Sequence, residues 1–171
     1  MTPSFAAIVY EQGFAIDSLM AQVVERLKAG SLRLGGVVQR NSGDCDGVCD
    51  EMALVDVASG TLYPISQARG AGGTGCRLDA AGLAEAGGAV ARALSEGVDL
   101  VLVNRFGKQE ALGHGLRAEI AAGCLSGRPL LTAVRRDHLV DWEAFAGEDW
   151  QRLPPDVEPV ARWALTATGR A

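Results

Sequence analysis

The chain has 171 residues, of which 48% are hydrophobic and 22% are charged, the balance of a folded globular domain rather than of a disordered segment. Its 16 Lys and Arg against 21 Asp and Glu give a formal net charge of −5, and such an acidic surface disfavours nucleic acid as a partner. No stretch approaches the roughly 18 consecutive apolar residues of a membrane helix, and no basic segment followed by an apolar run marks an export signal. We therefore expect one cytoplasmic domain, residues 1–171, without membrane contact.

The first forty residues predict a β-α-β unit. Residues 5–10 are a short apolar run typical of a buried strand. From Asp17, a residue suited to capping a helix, apolar side chains recur at helical spacing until Gly30, where a helix should end. Residues 32–39 predict the second strand.

The middle of the chain predicts a β-hairpin insertion over about residues 41–76. A polar, aspartate-rich loop opens this segment. The apolar stretches 52–57 and 61–66 then flank a short Ala-Ser-Gly turn like the two arms of a hairpin. Pro64 lies in the second arm, which we therefore expect at the edge of a sheet.

Strands and helices alternate through the rest of the chain. The predicted elements are a helix over 79–97, a strand over 98–103, a helix whose apolar stripe is Leu112, Leu116, Ile120 and Cys124, a strand over 130–134, a short helix around Trp142 and a last helix over about 155–167. This alternation predicts a three-layer α/β domain with a mostly parallel sheet.

The loop after the first strand is one candidate site, because ligands of such sheets bind beyond the carboxyl ends of the strands. It offers Gly13, Asp17 and Ser18 where phosphate-binding proteins place a glycine-rich cradle. No lysine is present, and Glu11 and Asp17 bring negative charge to that place. The alternative is a plain strand-to-helix turn with Asp17 as the cap.

The loop after the strand at 98–103 is the second candidate. Asn104 is uncharged, but Arg105 and Lys108 bring two cations to the end of the sheet. Arginine binds an oxyanion with two donors, and lysine adds a mobile point charge. We expect an anion site there. The alternative is that both cations are solvated or pair with Glu110 and Glu11.

Three cysteines form a candidate metal site. Cys45 and Cys49 are separated by three residues, a spacing within the range of zinc-binding loops. Cys76 joins them if the hairpin brings its two ends together, with an aspartate or His114 as a fourth ligand. The expected ion is zinc or another soft metal. The alternatives are thiols that bind nothing and a redox pair, which acidic neighbours disfavour because they raise thiol pKa values.

The second loop and its surroundings resemble an uncharacterised bacterial family often encoded near molybdate-transport genes. The most specific stretch is Asn104-Arg105-Phe106-Gly107-Lys108-Gln109-Glu110. Residues 75–79, 113–120 and 142–147 resemble that family too, so the likeness runs from about residue 5 to residue 147. It implies molybdate or a molybdenum-cofactor intermediate as the first ligand to test, and it implies no biochemical role.

The order of elements over roughly residues 5–134 also resembles the small nucleoside-triphosphatase family of P-loop proteins. When that family's phosphate loop is matched to this chain, Gly13 corresponds to a loop glycine and Ile16 to the lysine. Asp17 and Ser18 correspond to the pair of hydroxyl residues. Its magnesium aspartate falls on Asn104, and its catalytic glutamate falls on Arg105. The resemblance implies a P-loop-like fold with a hairpin insertion, and it argues against hydrolysis because each required charge is absent or inverted.

These observations predict a non-hydrolysing binding protein on a degenerate P-loop-like scaffold. The ligand is expected to be a small oxyanion, molybdate first, or a nucleotide or other phosphorylated molecule, and the protein to be accessory to molybdenum uptake or cofactor metabolism. The predicted site residues are Gly13, Asp17, Ser18, Asn104, Arg105 and Lys108. The alternatives are a nucleoside triphosphatase with altered motifs and a thiol-based metal-binding protein, and a homo-oligomer is compatible with any of them.

Overall fold

The computed structural model describes residues 3–42, 51–68 and 76–170, with backbone only at 41, 42, 51, 67, 68 and 76–78. The strands are β1 (Phe5–Tyr10), β2 (Leu34–Ser42), β3 (Glu51–Asp56), β4 (Leu62–Pro64), β5 (Ser66–Ala68), β6 (Cys76–Leu78), β7 (Leu100–Phe106), β8 (Leu130–Arg135) and β9 (Gln151–Leu153). The helices are α1 (Ile16–Ala29), α2 (Ala80–Glu96), α3 (Lys108–Ala111), α4 (Arg117–Leu125), α5 (Leu139–Ala146) and α6 (Val157–Ala167).

Seven of the strands form one sheet in the order β4-β3-β2-β7-β8-β1-β9. The five strands from β2 to β9 run parallel, whereas β3 and β4 are added antiparallel. Strands β5 and β6 pair with each other in a second, two-stranded sheet. The mostly parallel sheet and the hairpin insertion are therefore confirmed. Pro64 lies in the edge strand β4, where a residue without a backbone N–H is tolerated.

Helices cover both faces of the large sheet. Met20 and Leu27 of α1 and Trp163 of α6 pack in one apolar cluster against one face. On the other face, Val90 of α2 and Trp142 of α5 belong to a second apolar cluster. The predicted three-layer α/β architecture is confirmed, and each layer is stabilised by the removal of apolar side chains from water.

The parallel sheet divides beyond the pair formed by Val37 of β2 and Val103 of β7. From there, β2 continues as far as Ser42 in register with β3, whereas β7 continues to Phe106 beside β8. The carboxyl edge of the sheet is therefore open between β2 and β7. Asn104, the first β7 residue past the division, lies at this opening.

One predicted helix is wrong in its extent. The stripe from Leu112 to Cys124 was expected to belong to a single helix, but α3 ends at Ala111 and α4 begins at Arg117. Gly113 and Gly115 lie between them with φ of 91° and 61°, values that glycine adopts readily and that end a right-handed helix. Leu112 is consequently 62% exposed, whereas Ile120 is fully buried as predicted.

Asp17 is not the cap of α1. The helix begins at Ile16, with Ala15 at the capping position, so Asp17 lies within the first helical turn. In that position its Oδ1 accepts a hydrogen bond from Asn104 of β7. The prediction of a simple capping role is therefore wrong.

No helix among the described residues is both long enough and apolar enough to cross a membrane.

Candidate functional site

A side-chain hydrogen bond joins the two predicted loops. The Nδ2 of Asn104 donates to Oδ1 of Asp17 at 3.0 Å. Asn104 is only 1% exposed. Burial raises the pKa of Asp17, although the hydrogen bond from Asn104 and the charge of Arg105 both act to lower it. The structure thus brings together two predicted site residues that are 87 positions apart.

Arg105 is held by a residue that the sequence did not single out. Its Nη1 donates to the hydroxyl of Tyr10 at 3.3 Å. Tyr10 is the last residue of β1 and is 4% exposed. Burial raises the pKa of Tyr10 despite the nearby charge of Arg105, so the side chain remains a neutral hydroxyl that accepts from the guanidinium. Its place at the carboxyl end of a strand was the signal that could have found it.

Arg105 and Lys108 line the same cavity, which has a volume of about 220 Å³. Asn104 and Glu110 line it as well, and Gln39 reaches it from β2. The cavity therefore lies where the sheet divides between β2 and β7. The two predicted cations share one concave surface, and Lys108 is exposed there.

The acids expected as alternative partners of these cations are engaged elsewhere. Glu11 forms an ion pair with Arg136 at 2.5 Å. The carboxylate of Glu110 accepts from the backbone N–H of Gly107 at 3.2 Å and from that of Leu116 at 3.3 Å. Within the part of the chain that the structure describes, no ion pair involves Arg105 or Lys108. Pairing with Glu11 or Glu110 is therefore not what the structure shows.

Ser18 and Asp17 line a second cavity, of about 380 Å³, that extends along α1. Lys28 lines it too, and Gln39 contributes to the walls of both cavities. The hydrogen bond between Asp17 and Asn104 therefore joins a wall of one cavity to a wall of the other. Ser18 does not share the cavity of the two cations.

Gly13 is exposed on the loop between β1 and α1, with φ of 86° and open space where a Cβ would be. It lines neither of these two cavities. Its positive φ is a reason for glycine at this turn that requires no ligand.

The cysteine prediction stays a prediction. Cys45 and Cys49 lie outside the described residues, as does the side chain of Cys76 at the start of β6. In residues 3–42, 51–68 and 76–170, no group of three or more His, Cys, Asp and Glu side chains is placed to hold a metal ion. Cys124 packs against the core, and burial raises the pKa of its thiol to about 11, which suits a structural role.

A family model and a curated relative each match most of this chain. A family model described as "Protein of unknown function (DUF2478)" matches residues 5–163. The molybdenum import ATP-binding protein ModC 2 of Bradyrhizobium diazoefficiens is 43% identical over 165 residues. These residues are 96% of this chain but 18% of that relative, so the chain spans less than a fifth of the relative's length.

Two solved structures share the fold. A human cancer-related nucleoside triphosphatase superposes with a TM-score of 0.63 at 15% identity, over 99% of this chain and 96% of that one. THEP1 from the hyperthermophile Aquifex aeolicus gives a TM-score of 0.59 at 17% identity, over 91% of this chain and 93% of its own. The fold is therefore that of the small P-loop nucleoside triphosphatases, as the order of elements predicted.

Proposed function

The chain belongs to the DUF2478 family, and we propose that it binds a small oxyanion or a phosphorylated molecule without hydrolysing it. The observation that carries this proposal is the cavity shared by Arg105 and Lys108, neither of which has an ion-pair partner among the described residues. Two cations without a direct ion-pair partner in one concave site favour the binding of an anion, even to a protein whose net charge is negative.

The geometry around Arg105 favours an oxyanion. A guanidinium has five N–H donors, and the hydroxyl of Tyr10 accepts from one of its nitrogens. The other donors have no partner in the described structure and suit the oxygens of a phosphate or of a similar tetrahedral anion. Lys108, which begins α3, adds a charge on a flexible stem that adjusts to the bound group.

The residues at the positions of the hydrolytic machinery support binding without catalysis. Ile16, which the resemblance to the small P-loop nucleoside triphosphatases matches with the P-loop lysine, is 3% exposed and belongs to the apolar core. Asn104, which the same resemblance matches with the magnesium aspartate, has no charge, and its amide donates to Asp17. Phosphoryl transfer in this fold depends on a lysine and a metal-binding carboxylate at these two places.

The name of the relative suggests the biological setting. ModC 2 is named as an ATP-binding protein of molybdenum import, and its similarity to this chain extends over 96% of the chain. We therefore propose that the ligand belongs to molybdenum uptake or molybdenum-cofactor metabolism, with molybdate and tungstate as the first inorganic probes.

Calorimetric titration of the full chain tests the proposal, with molybdate, tungstate, sulfate, phosphate, ATP and phenyl phosphate as probes. We expect Arg105→Gln and Lys108→Gln each to weaken binding about 10-fold or more, since a hydrogen bond to a charged group contributes about 1.5–3 kcal/mol. Lys28→Gln is the matched control, because Lys28 is exposed and lines the other cavity. The proposal is overturned if none of the probes binds, or if Lys28→Gln weakens binding as much as the other two variants.

A further inference from the structure

The cavity of Arg105 and Lys108 has walls made largely of hydrocarbon, and we propose that its ligand is an organic phosphate with an apolar body rather than a bare inorganic oxyanion. This inference rests on the proposed function. The apolar side chains that line the cavity are Met52, Leu54, Ile65, Leu83 and Leu116. Leu54, Ile65 and Leu116 are buried, and the other two pack against the same core cluster.

The charged and the apolar walls come from different elements. Arg105 and Lys108 belong to β7 and α3. The hydrocarbon comes from β3, from Ile65 after β4, from Leu83 of α2 and from Leu116 before α4. A ligand with one anionic end and one apolar end matches both sets of walls at once.

The size of the cavity supports the same conclusion. A water molecule has a share of about 30 Å³ in the liquid. A cavity of about 220 Å³ therefore has room for a ligand larger than a small tetrahedral oxyanion. Water makes few hydrogen bonds against apolar walls, so displacing it with an apolar group is favourable.

Titration with a matched pair of probes, phenyl phosphate and inorganic phosphate, tests the inference, because the two share a headgroup and differ in the apolar body. We expect phenyl phosphate to bind about 10- to 100-fold more tightly, the gain from burying one small ring. Leu83→Asn should weaken the binding of phenyl phosphate about tenfold, because an apolar contact is lost. It should leave the binding of inorganic phosphate unchanged. Leu94→Asn is the control, because Leu94 is half-buried on the same helix but lies away from the cavity.

The outcomes separate this inference from the proposed function. Equal affinity for phenyl phosphate and inorganic phosphate overturns the inference and leaves an anion site in place. Equal losses of affinity for phenyl phosphate in Leu83→Asn and Leu94→Asn also overturn the inference, because the effect then comes from the helix and not from the cavity wall. If neither these two probes nor the other anions bind, the proposed function itself is overturned.

Discussion

Changing Asn104 to aspartate would place two carboxyl groups within hydrogen-bond distance at the carboxyl edge of the sheet. In the wild-type protein, Nδ2 of Asn104 lies 3.0 Å from Oδ1 of Asp17, and Asn104 is almost completely buried. The variant keeps the size and shape of this side chain and replaces an attractive contact with a repulsive one. We therefore expect Asn104→Asp to destabilise the fold in a pH-dependent manner.

The expected loss follows from the distance. Two unit charges 3 Å apart repel by about 5 kcal/mol at an effective dielectric constant of about 20. The variant avoids this repulsion if one carboxyl stays protonated, so the cost of protonation is an upper limit on the loss of stability. For a group of pKa about 3.9, that cost is about 5 kcal/mol at pH 7.5 and about 1.5 kcal/mol at pH 5. The folded variant then retains a proton that the unfolded chain has lost. Its free energy of unfolding therefore falls as the pH rises from about 4 towards the raised pKa of the pair.

Urea unfolding of the wild type and of Asn104→Asp at pH 5.0 and 7.5 measures this effect. The double variant Asp17→Asn with Asn104→Asp exchanges the amide and the carboxylate and should regain most of the stability lost at pH 7.5. The reasoning is refuted if Asn104→Asp is as stable as the wild type at pH 7.5. A loss that is the same at both pH values, or that the double variant does not recover, refutes it equally.

Two further predictions concern the helix that was mispredicted and the absence of catalysis. Ile120→Ala should lower the free energy of unfolding by about 2–5 kcal/mol because Ile120 is fully buried. Leu112→Ala should change the free energy of unfolding by less than about 0.5 kcal/mol. Equal losses of stability in urea unfolding would contradict the separation of α3 from α4. With ATP or GTP and magnesium, we expect no phosphate release above the background without enzyme in a colorimetric assay. Turnover that Arg105→Gln abolishes would show instead a hydrolase with altered motifs.

Much of the architecture could be predicted because its signals are local. The apolar run of β1, the helical spacing in α1 and the glycine after α2 act within a few residues, and Gly97 does end α2 with φ of 74°. Strand β9 was missed because Gln151 and Arg152 are polar and exposed, and the strand exists only through its pairing with β1. The division between α3 and α4 was missed because apolar spacing alone does not register positive φ at two glycines.

The candidate site could be predicted only in part, because its geometry depends on contacts between distant segments. Residue type and position at strand ends identified Arg105, Lys108 and Asn104. The contact of Arg105 with Tyr10 joins residues 95 positions apart, and no local sequence pattern predicts such a contact. The separation of Ser18 from the two cations likewise depends on how the sheet divides beyond Val103.

The carboxylate of Glu110 ties together the two ends of the segment from Gly107 to Leu116, since it accepts from the backbone N–H of both residues. The guanidinium of Arg117 adds a third tie by donating to the carbonyl oxygen of Glu110 at 2.8 Å. Lys108 therefore projects from a preformed turn. The anion proposed above would meet a backbone that is already ordered, so little of the binding free energy would be lost to immobilising that backbone.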